Sequence, residues 1–193
     1  GITQALRKRP AIIILDLMLP ITDGLEVCRR LRSDPATRNS RIIMLTAKAE
    51  ETDELIGFSM GADDYVTKPF SVKVLLERVK AIGRRDAEPK GEQRVESQQV
   101  AMDLVRHRVT VNNIAIQLTG SEFRLLECWV RQPGRVFSRA ELIDVALGED
   151  TLVLERTIDV HIRALRRKMD THGSLIETVR GFGYRFRDPG DQA

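Results

Sequence analysis

The stretch RTIDVHIRALRRKM (Arg156–Met169), followed by DTHGSLIETVRGFGYRF (Asp170–Phe186), carries two patterns in immediate succession. In the first, Ile158, Ile162, Leu165 and Met169 recur at i, i+4, i+7 and i+11, which places them on one face of a helix from about Glu155 to Met169. The opposite face carries Arg156, Thr157, Val160, His161, Arg163, Ala164, Arg167 and Lys168, a cationic surface of a size that fits the major groove of a duplex. In the second, Ile176–Val179 and Tyr184–Phe186 read as strands around the turn Arg180-Gly-Phe-Gly183. Residues 156–187 hold eight basic side chains against three acidic ones, whereas residues 86–193 as a whole hold 16 Lys and Arg against 17 Asp and Glu. A basic face set in an otherwise acidic domain meets something anionic.

Upstream of this segment, His107–Val111 and Ile114–Leu118 alternate in and out across Asn112-Asn113, a two-residue turn that tolerates positive φ. Thr119-Gly-Ser-Glu122 and Ser138-Arg-Ala-Glu141 are both capping boxes, each opening a helix. Three helices flanked by hairpins predict a winged helix-turn-helix (α+β) domain over residues 97–187, with 188–193 as a tail. Before it, RRDAEPKGEQRVES (Arg84–Ser97) is polar throughout and shows no apolar period, so 86–96 is expected to be a linker.

Residues 1–85 alternate differently. Ala11–Leu15 and Arg41–Leu45 are continuous apolar runs, stopped by Asp16 and Thr46, as strands covered on both faces are. Leu25–Leu31 and Glu51–Met60 have helical spacing. A short strand at Asp64–Thr67 precedes a long amphipathic helix from Ser71, with Val72, Leu75, Leu76, Val79 and Ile82 on one side. This order predicts an α/β domain built on a doubly wound parallel sheet. In such sheets ligands bind at the carboxyl ends of the strands, where Asp16, Thr46 and Lys68 stand. A carboxylate that attacks phosphorus, with a hydroxyl and an ammonium to hold its oxygens, suits phosphoryl transfer.

Composition narrows the class. With 193 residues, 42% hydrophobic and 31% charged, the chain has room for two domains with real cores. Cys28 and Cys128 stand far apart, which excludes a disulfide framework and a structural zinc site and suits a cytoplasmic location. No apolar run approaches the roughly 20 residues that cross a bilayer, so no membrane partner is expected. An aspartyl-phosphate enzyme would place a second acid two positions after the nucleophile; position 18 is Met, and no enzyme activity is expected.

IIILDLMLPITDG (12–24), IIMLTA (42–47) and GADDYVTKPF (61–70) together resemble the flavodoxin-like receiver domain of two-component response regulators. That resemblance implies Asp16 as phospho-acceptor from a sensor histidine kinase, Thr46 and Lys68 as the switch hydroxyl and phosphate-contacting lysine, and Tyr65 as the aromatic that follows Thr46. It implies a cis bond between Lys68 and Pro69, and Mg²⁺ held by Asp16 and the Met18 carbonyl. It also implies a homodimer on phosphorylation, through Leu55, Phe58 and Leu76 with the charge pair Asp64 and Arg78. RTIDVHIRALRRKM and TVRGFGYRF resemble the winged-helix output domain of the OmpR/PhoB-type subfamily, which includes the phosphate-regulon activators. By that resemblance Arg156, Thr157, Arg163, Arg166, Arg167 and Lys168 contact the phosphates or bases of double-stranded DNA. His161, Thr178 and Tyr184 are implied to touch its backbone, Arg180 is the wing arginine, and loop 147–154 meets RNA polymerase. Ala164 stands where phosphate-regulon members carry an arginine.

The receiver pattern departs from the family in one respect. Residues 1–15 contain neither Asp nor Glu, so the acidic pair that completes the family's Mg²⁺ site does not precede Asp16. The first strands of the domain are expected to be missing, and the chain is expected to accept phosphoryl groups poorly. The Asp16 strand is then an apolar edge. The expected function is a DNA-binding transcription regulator controlled at Asp16, acting on tandem half-sites. The alternative is a regulator that binds DNA independently of phosphorylation.

Overall fold

The computed structural model describes all residues except 21, 48–60, 86–92, 149–154 and 192–193, and divides into two units, 1–87 and 88–193. In the first unit, helix α1 (Ile2–Lys8) precedes strand β1 (Ile12–Asp16), helix α2 (Gly24–Ser33), strand β2 (Arg41–Thr46), strand β3 (Asp64–Thr67) and helix α3 (Val72–Arg85). The three strands are parallel in the order β1-β2-β3, so β2 is covered on both edges and its residues Ile42, Ile43 and Met44 are fully buried. The expected helix at 51–60, with Leu55 and Phe58, lies outside the described residues.

Ile43, Val66 and Ile82 form the core on one face of the sheet, with Ile12, Leu45, Phe70, Leu75 and Val79 packed around them. Two residues of the expected α3 stripe stand outside it: Val72 and Leu76 are 69% and 51% exposed. Val27, Cys28 and Leu31 of α2 are buried in this unit. β1 is an edge strand among the described residues, and its Ile14 is 47% exposed, in line with the expected apolar edge. The helix α2 begins at an Asp23 cap whose carboxylate accepts the Leu25 N–H at 3.0 Å. Gly24 is required there: a Cβ would lie 2.4 Å from the carbonyl oxygen of Asp16.

A buried ion cluster, which no periodicity in the sequence announces, ties α2 to the sheet. Asp63 takes the Arg32 guanidinium at 2.6 Å and Arg41 at 3.3 Å, and accepts the backbone N–H of Ile42 at 2.9 Å. Arg32 also donates to the carbonyls of Arg38, Ser40 and Gly61, closing the loops on either side of β2.

The second unit opens on an antiparallel sheet in the order β4-β5-β6-β7: Arg94–Ser97, Val100–Asp103, Arg108–Val111 and Ile114–Ile116. Here the expected linker 86–96 is corrected: β4 begins at Arg94 and pairs with β5. The strand escaped the sequence pattern because Val95 is its single inward apolar residue. The Asn112-Asn113 turn has φ of 49° and 63°, as a two-residue hairpin between right-twisted strands demands.

Helices α4 (Gly120–Arg131), α5 (Arg139–Leu147) and α6 (Thr157–Lys168) follow, the first two opened by complete capping boxes at Thr119/Glu122 and Ser138/Glu141. Strands β9 (Ile176–Val179) and β10 (Gly183–Phe186) form the last hairpin, and β10 also pairs with a two-residue strand β8 (Val136–Phe137) that the sequence reading did not contain. Ile158, Ile162, Leu165 and Met169 are all buried, beside Trp129, Leu125, Leu126 and Phe186. The described part of the expected tail is attached, with Asp191 paired to Arg185 at 3.0 Å. Neither Cys28 nor Cys128 is in a disulfide, and burial pushes both thiols up to about 11.

Removing Asp63 leaves two arginines in the interior of the first unit without their carboxylate, and breaking a buried pair in this way costs about 3–5 kcal/mol. Asp63→Ala is therefore expected to lower the urea midpoint of residues 1–87 sharply while residues 88–193 unfold as before, which tryptophan fluorescence from Trp129 and far-UV dichroism together resolve.

Candidate phospho-acceptor crevice and nucleic-acid interface

Three parallel strands deliver their last residues to one crevice. Asp16 ends β1, Thr46 ends β2, and Lys68 follows β3, its backbone N–H bonded to the Thr46 carbonyl at 2.6 Å. The Lys68 ammonium pairs directly with Asp16 Oδ2, while the Met18 N–H donates to Oδ1 at 3.0 Å. The hydrogen bond from Lys68, aided by the Met18 amide, holds the Asp16 carboxyl below the usual carboxylate range, against a smaller opposing effect of burial. The group is thus ionised at neutral pH, as a nucleophile must be. Thr46 lies buried beneath the crevice, and the Lys68–Pro69 bond is cis as expected. Tyr65 is buried, its hydroxyl turned to Met44 Sδ at 3.0 Å.

The donor set is poor for Mg²⁺. Among the described residues no three His, Cys, Asp or Glu side chains converge, and Asp16 is already neutralised by Lys68. One carboxylate and a carbonyl from Met18 are weaker ligation than this hard cation takes in tight sites, so the described residues do not fit it.

Of the expected dimer residues, Leu76 is exposed on α3, and Asp64 is buried with Arg78 donating to both its oxygens at 3.0 Å within the same chain.

In the second unit, the eight basic side chains of the 156–187 segment sort into two sets. Arg156, Arg163, Arg167 and Arg180 are exposed, with Val160 and Ala164 half-buried between the helical ones. The other four are used inside the domain. Arg166 donates to the Ile176 carbonyl at 3.0 and 2.7 Å and to Thr178 Oγ1 at 3.0 Å, fastening α6 to β9. Lys168 reaches the buried Glu122 at 2.6 Å, joining the end of α6 to the start of α4. Arg185 and Arg187 share Glu177, whose carboxyl Arg187 above all holds low.

The structure places the expected duplex contacts in different surroundings. Arg166 and Lys168 have partners within the domain. Thr157 and His161 are fully enclosed in the domain, on the inward side of the first turns of α6. Tyr184 is also buried: its hydroxyl donates to Asp159 Oδ1 at 2.8 Å, and burial pushes its ionisation to higher pH than that of a free phenol. Thr178 is exposed on β9 beside Arg166. The loop expected to meet RNA polymerase lies outside the described residues apart from Leu147, which is buried, and Gly148, which closes α5.

Two residues missed in the sequence, Arg139 and Asp159, complete the interface from behind. Arg139, at the start of α5, donates to Asp159 Oδ1 at 3.0 Å and lies over the Tyr184 ring, with Arg166 above the same ring at 5.5 Å. A lone acid, Asp159, in the first turn of a cationic helix was the signal that could have found them.

A family model for the response regulator receiver domain matches residues 1–80, and one for the C-terminal domain of transcriptional regulatory proteins matches residues 113–186. The phosphate regulon transcriptional regulatory protein PhoB of Pseudomonas aeruginosa is 43% identical over 180 residues, covering 93% of this chain and 79% of its own. The chain belongs to the OmpR/PhoB-type response regulators. PhoB of Rhizobium meliloti is 45% identical over 179 residues, with 92% and 79% covered. The sensory transduction protein RegX3 of Mycobacterium tuberculosis is 42% identical over 180 residues, with 90% and 78% covered. Among solved structures, a RitR mutant superposes with a TM-score of 0.73 at 26% identity, covering 97% of this chain and 83% of that one. As a member of this family the protein is a DNA-binding transcription regulator with a receiver and a winged-helix domain, and sensor kinases are partners of the family as a kind. Among the described residues no helix is long and apolar enough to cross a membrane.

The two sets of arginines are expected to behave differently toward a duplex. Arg163→Ala should weaken binding and reduce the slope of log K against log salt by about 0.9, the loss of one phosphate neutralised. Arg166→Ala should weaken binding through a loosened wing and leave that slope unchanged. Anisotropy titrations from about 0.1 to 0.4 M KCl separate the two outcomes.

Proposed function

We propose that phosphorylation of Asp16 governs how this regulator occupies DNA. The observation that carries the reading is the crevice itself: an ionised carboxylate, a buried hydroxyl and an ammonium brought together by three successive parallel strand ends. An Asp16 oxygen attacks the phosphorus of a sensor kinase phosphohistidine. The P–N bond breaks, and the imidazole leaves with the electron pair. Lys68 moves from the carboxylate to the new phosphoryl oxygens, and the Thr46 hydroxyl turns toward them, opening space into which Tyr65 rotates.

That rearrangement favours pairing of two receivers across the α3 face, where Leu76 and Val72 are exposed one turn apart. Pairing brings two winged helices onto half-sites about one helical turn apart, each with Arg163 and Arg167 toward the major groove and Arg180 toward the minor groove. The second domain then binds at high local concentration, so occupancy rises without any new contact. The loop at 147–154 is the surface offered to RNA polymerase, and the cytoplasm is where kinase, duplex and polymerase meet.

The test is labelling with radioactive acetyl phosphate, followed by titration of a duplex that this chain selects from a random pool. A hydroxylamine-labile label is expected on the 193-residue chain, slow because Asp16 is the only carboxylate among the described residues of the crevice. It should be absent from Asp16→Asn and present in Asp34→Asn. The labelled protein should bind tandem sites at least about tenfold more tightly than the unlabelled. Equal affinity of the labelled protein and Asp16→Asn would establish instead a regulator that ignores phosphorylation.

A further inference from the structure

The tip of the wing carries an apolar side chain as prominent as its arginine. Phe182 is 73% exposed, whereas Phe123, Phe137 and Phe186 of the same unit are all buried. Its position is fixed by the backbone. The Phe182 N–H donates to the Val179 carbonyl at 3.0 Å, closing a turn in which Gly181 has φ of 80°, the left-handed third position of a type II turn. On the other side Gly183 has φ of 152°, and a Cβ there would fall 2.0 Å from the carbonyl oxygen of Phe137, so the chain is pressed against β8 and no other residue fits. Between these two glycines Phe182 is held out into solvent two residues from the exposed Arg180.

The wing is in turn fastened to α6. Arg166 bonds to Ile176 and Thr178 on β9, and Tyr184 on β10 bonds to Asp159 on α6. The tip is therefore placed relative to the helix that carries Arg163 and Arg167. An exposed aromatic ring beside a guanidinium matches the chemistry of the minor groove. The groove floor is anionic and draws arginine, its walls are the apolar faces of deoxyribose, and side chains of this kind are used there by other DNA-binding proteins.

We infer that Phe182 is a second contact of the wing, packing its ring against the deoxyribose walls of the minor groove beside Arg180. This rests on the reading of the second unit as a duplex binder and adds to it a contribution that salt does not screen. A ring that gives up part of its exposed surface to the groove contributes about a five- to tenfold gain in affinity. Because the contact releases no counterions, the gain is the same at every salt concentration.

The experiment uses the whole 193-residue chain and a 30-base-pair duplex that it selects from a random pool, titrated by anisotropy across a range of salt. F182A is expected to bind about five- to tenfold more weakly, on a line of log K against log salt parallel to the wild type. F182Y should keep most of the affinity, and R180A should lose affinity with a slope reduced by about 0.9. Replacing A·T pairs in the wing's footprint by G·C, which places an amino group in the minor groove, should weaken wild type more than F182A; replacement by I·C, which does not, should weaken neither through this contact. Unchanged affinity in F182A overturns the inference. So does a loss accompanied by an altered slope or a lowered melting temperature of the second unit, or equal sensitivity of both proteins to G·C. A wild-type chain that selects no duplex at all overturns the underlying reading, and this inference with it.

Discussion

One carboxylate oxygen in the second unit receives donors from two other elements: Asp159 Oδ1, on the first turn of α6, takes the Tyr184 hydroxyl from β10 and the Arg139 guanidinium from α5. Charge-assisted hydrogen bonds of this kind are short and directional, and a half-exposed carboxylate oxygen held by two donors prefers one geometry over many. Arg166 finishes the arrangement by lying over the Tyr184 ring while bonding the carbonyl of Ile176. The outward face of α6 and the tip of the hairpin are thereby held as one rigid surface. The affinity of Arg163, Arg167 and Arg180 for phosphate would otherwise be spent in part on ordering the elements that carry them.

The receiver unit uses the same device with the opposite sign of consequence. There a lysine occupies the reactive carboxylate itself, and the pair is exposed enough to be exchanged: the side chains of Lys68 and Asp16 remain 36% and 30% accessible. The buried Arg32–Asp63–Arg41 cluster, by contrast, is closed to solvent and has no reason to rearrange. The unit thus sets a movable ion pair at the carboxyl ends of its strands, with a permanent one at Asp63, just before β3. A regulator needs this division, since the group that changes state must be cheap to disturb and the frame around it must not be.

Much of this was legible in the sequence because it rests on local rules. Apolar runs stopped by Asp16 and Thr46 gave parallel strands with their chemistry at one end. The capping boxes at Thr119 and Ser138 gave helix starts, and Asn112-Asn113 gave a turn. What was not legible depends on partners far along the chain. Whether an arginine on α6 points at solvent or at the carbonyl of Ile176 is decided by the hairpin that packs beside it, so Arg166 and Arg163 look alike in one dimension. Thr157 and His161 sit at helix positions that periodicity places near the border of the polar face, and in the folded domain both are buried. β4 was lost because a strand with one inward apolar residue has no alternation to display. The number of basic residues in the segment overstated its outward charge, since Glu122 and Glu177 between them pair with three of them from within.

Both native thiols, Cys28 and Cys128, are pushed by burial up to about 11, so the reactive thiolate is scarce at neutral pH. Sulfhydryl-directed dyes react with them slowly. A fluorophore or spin label can accordingly be directed to a single engineered cysteine on the surface with the natural pair left in place, since an exposed thiol of ordinary acidity outpaces both.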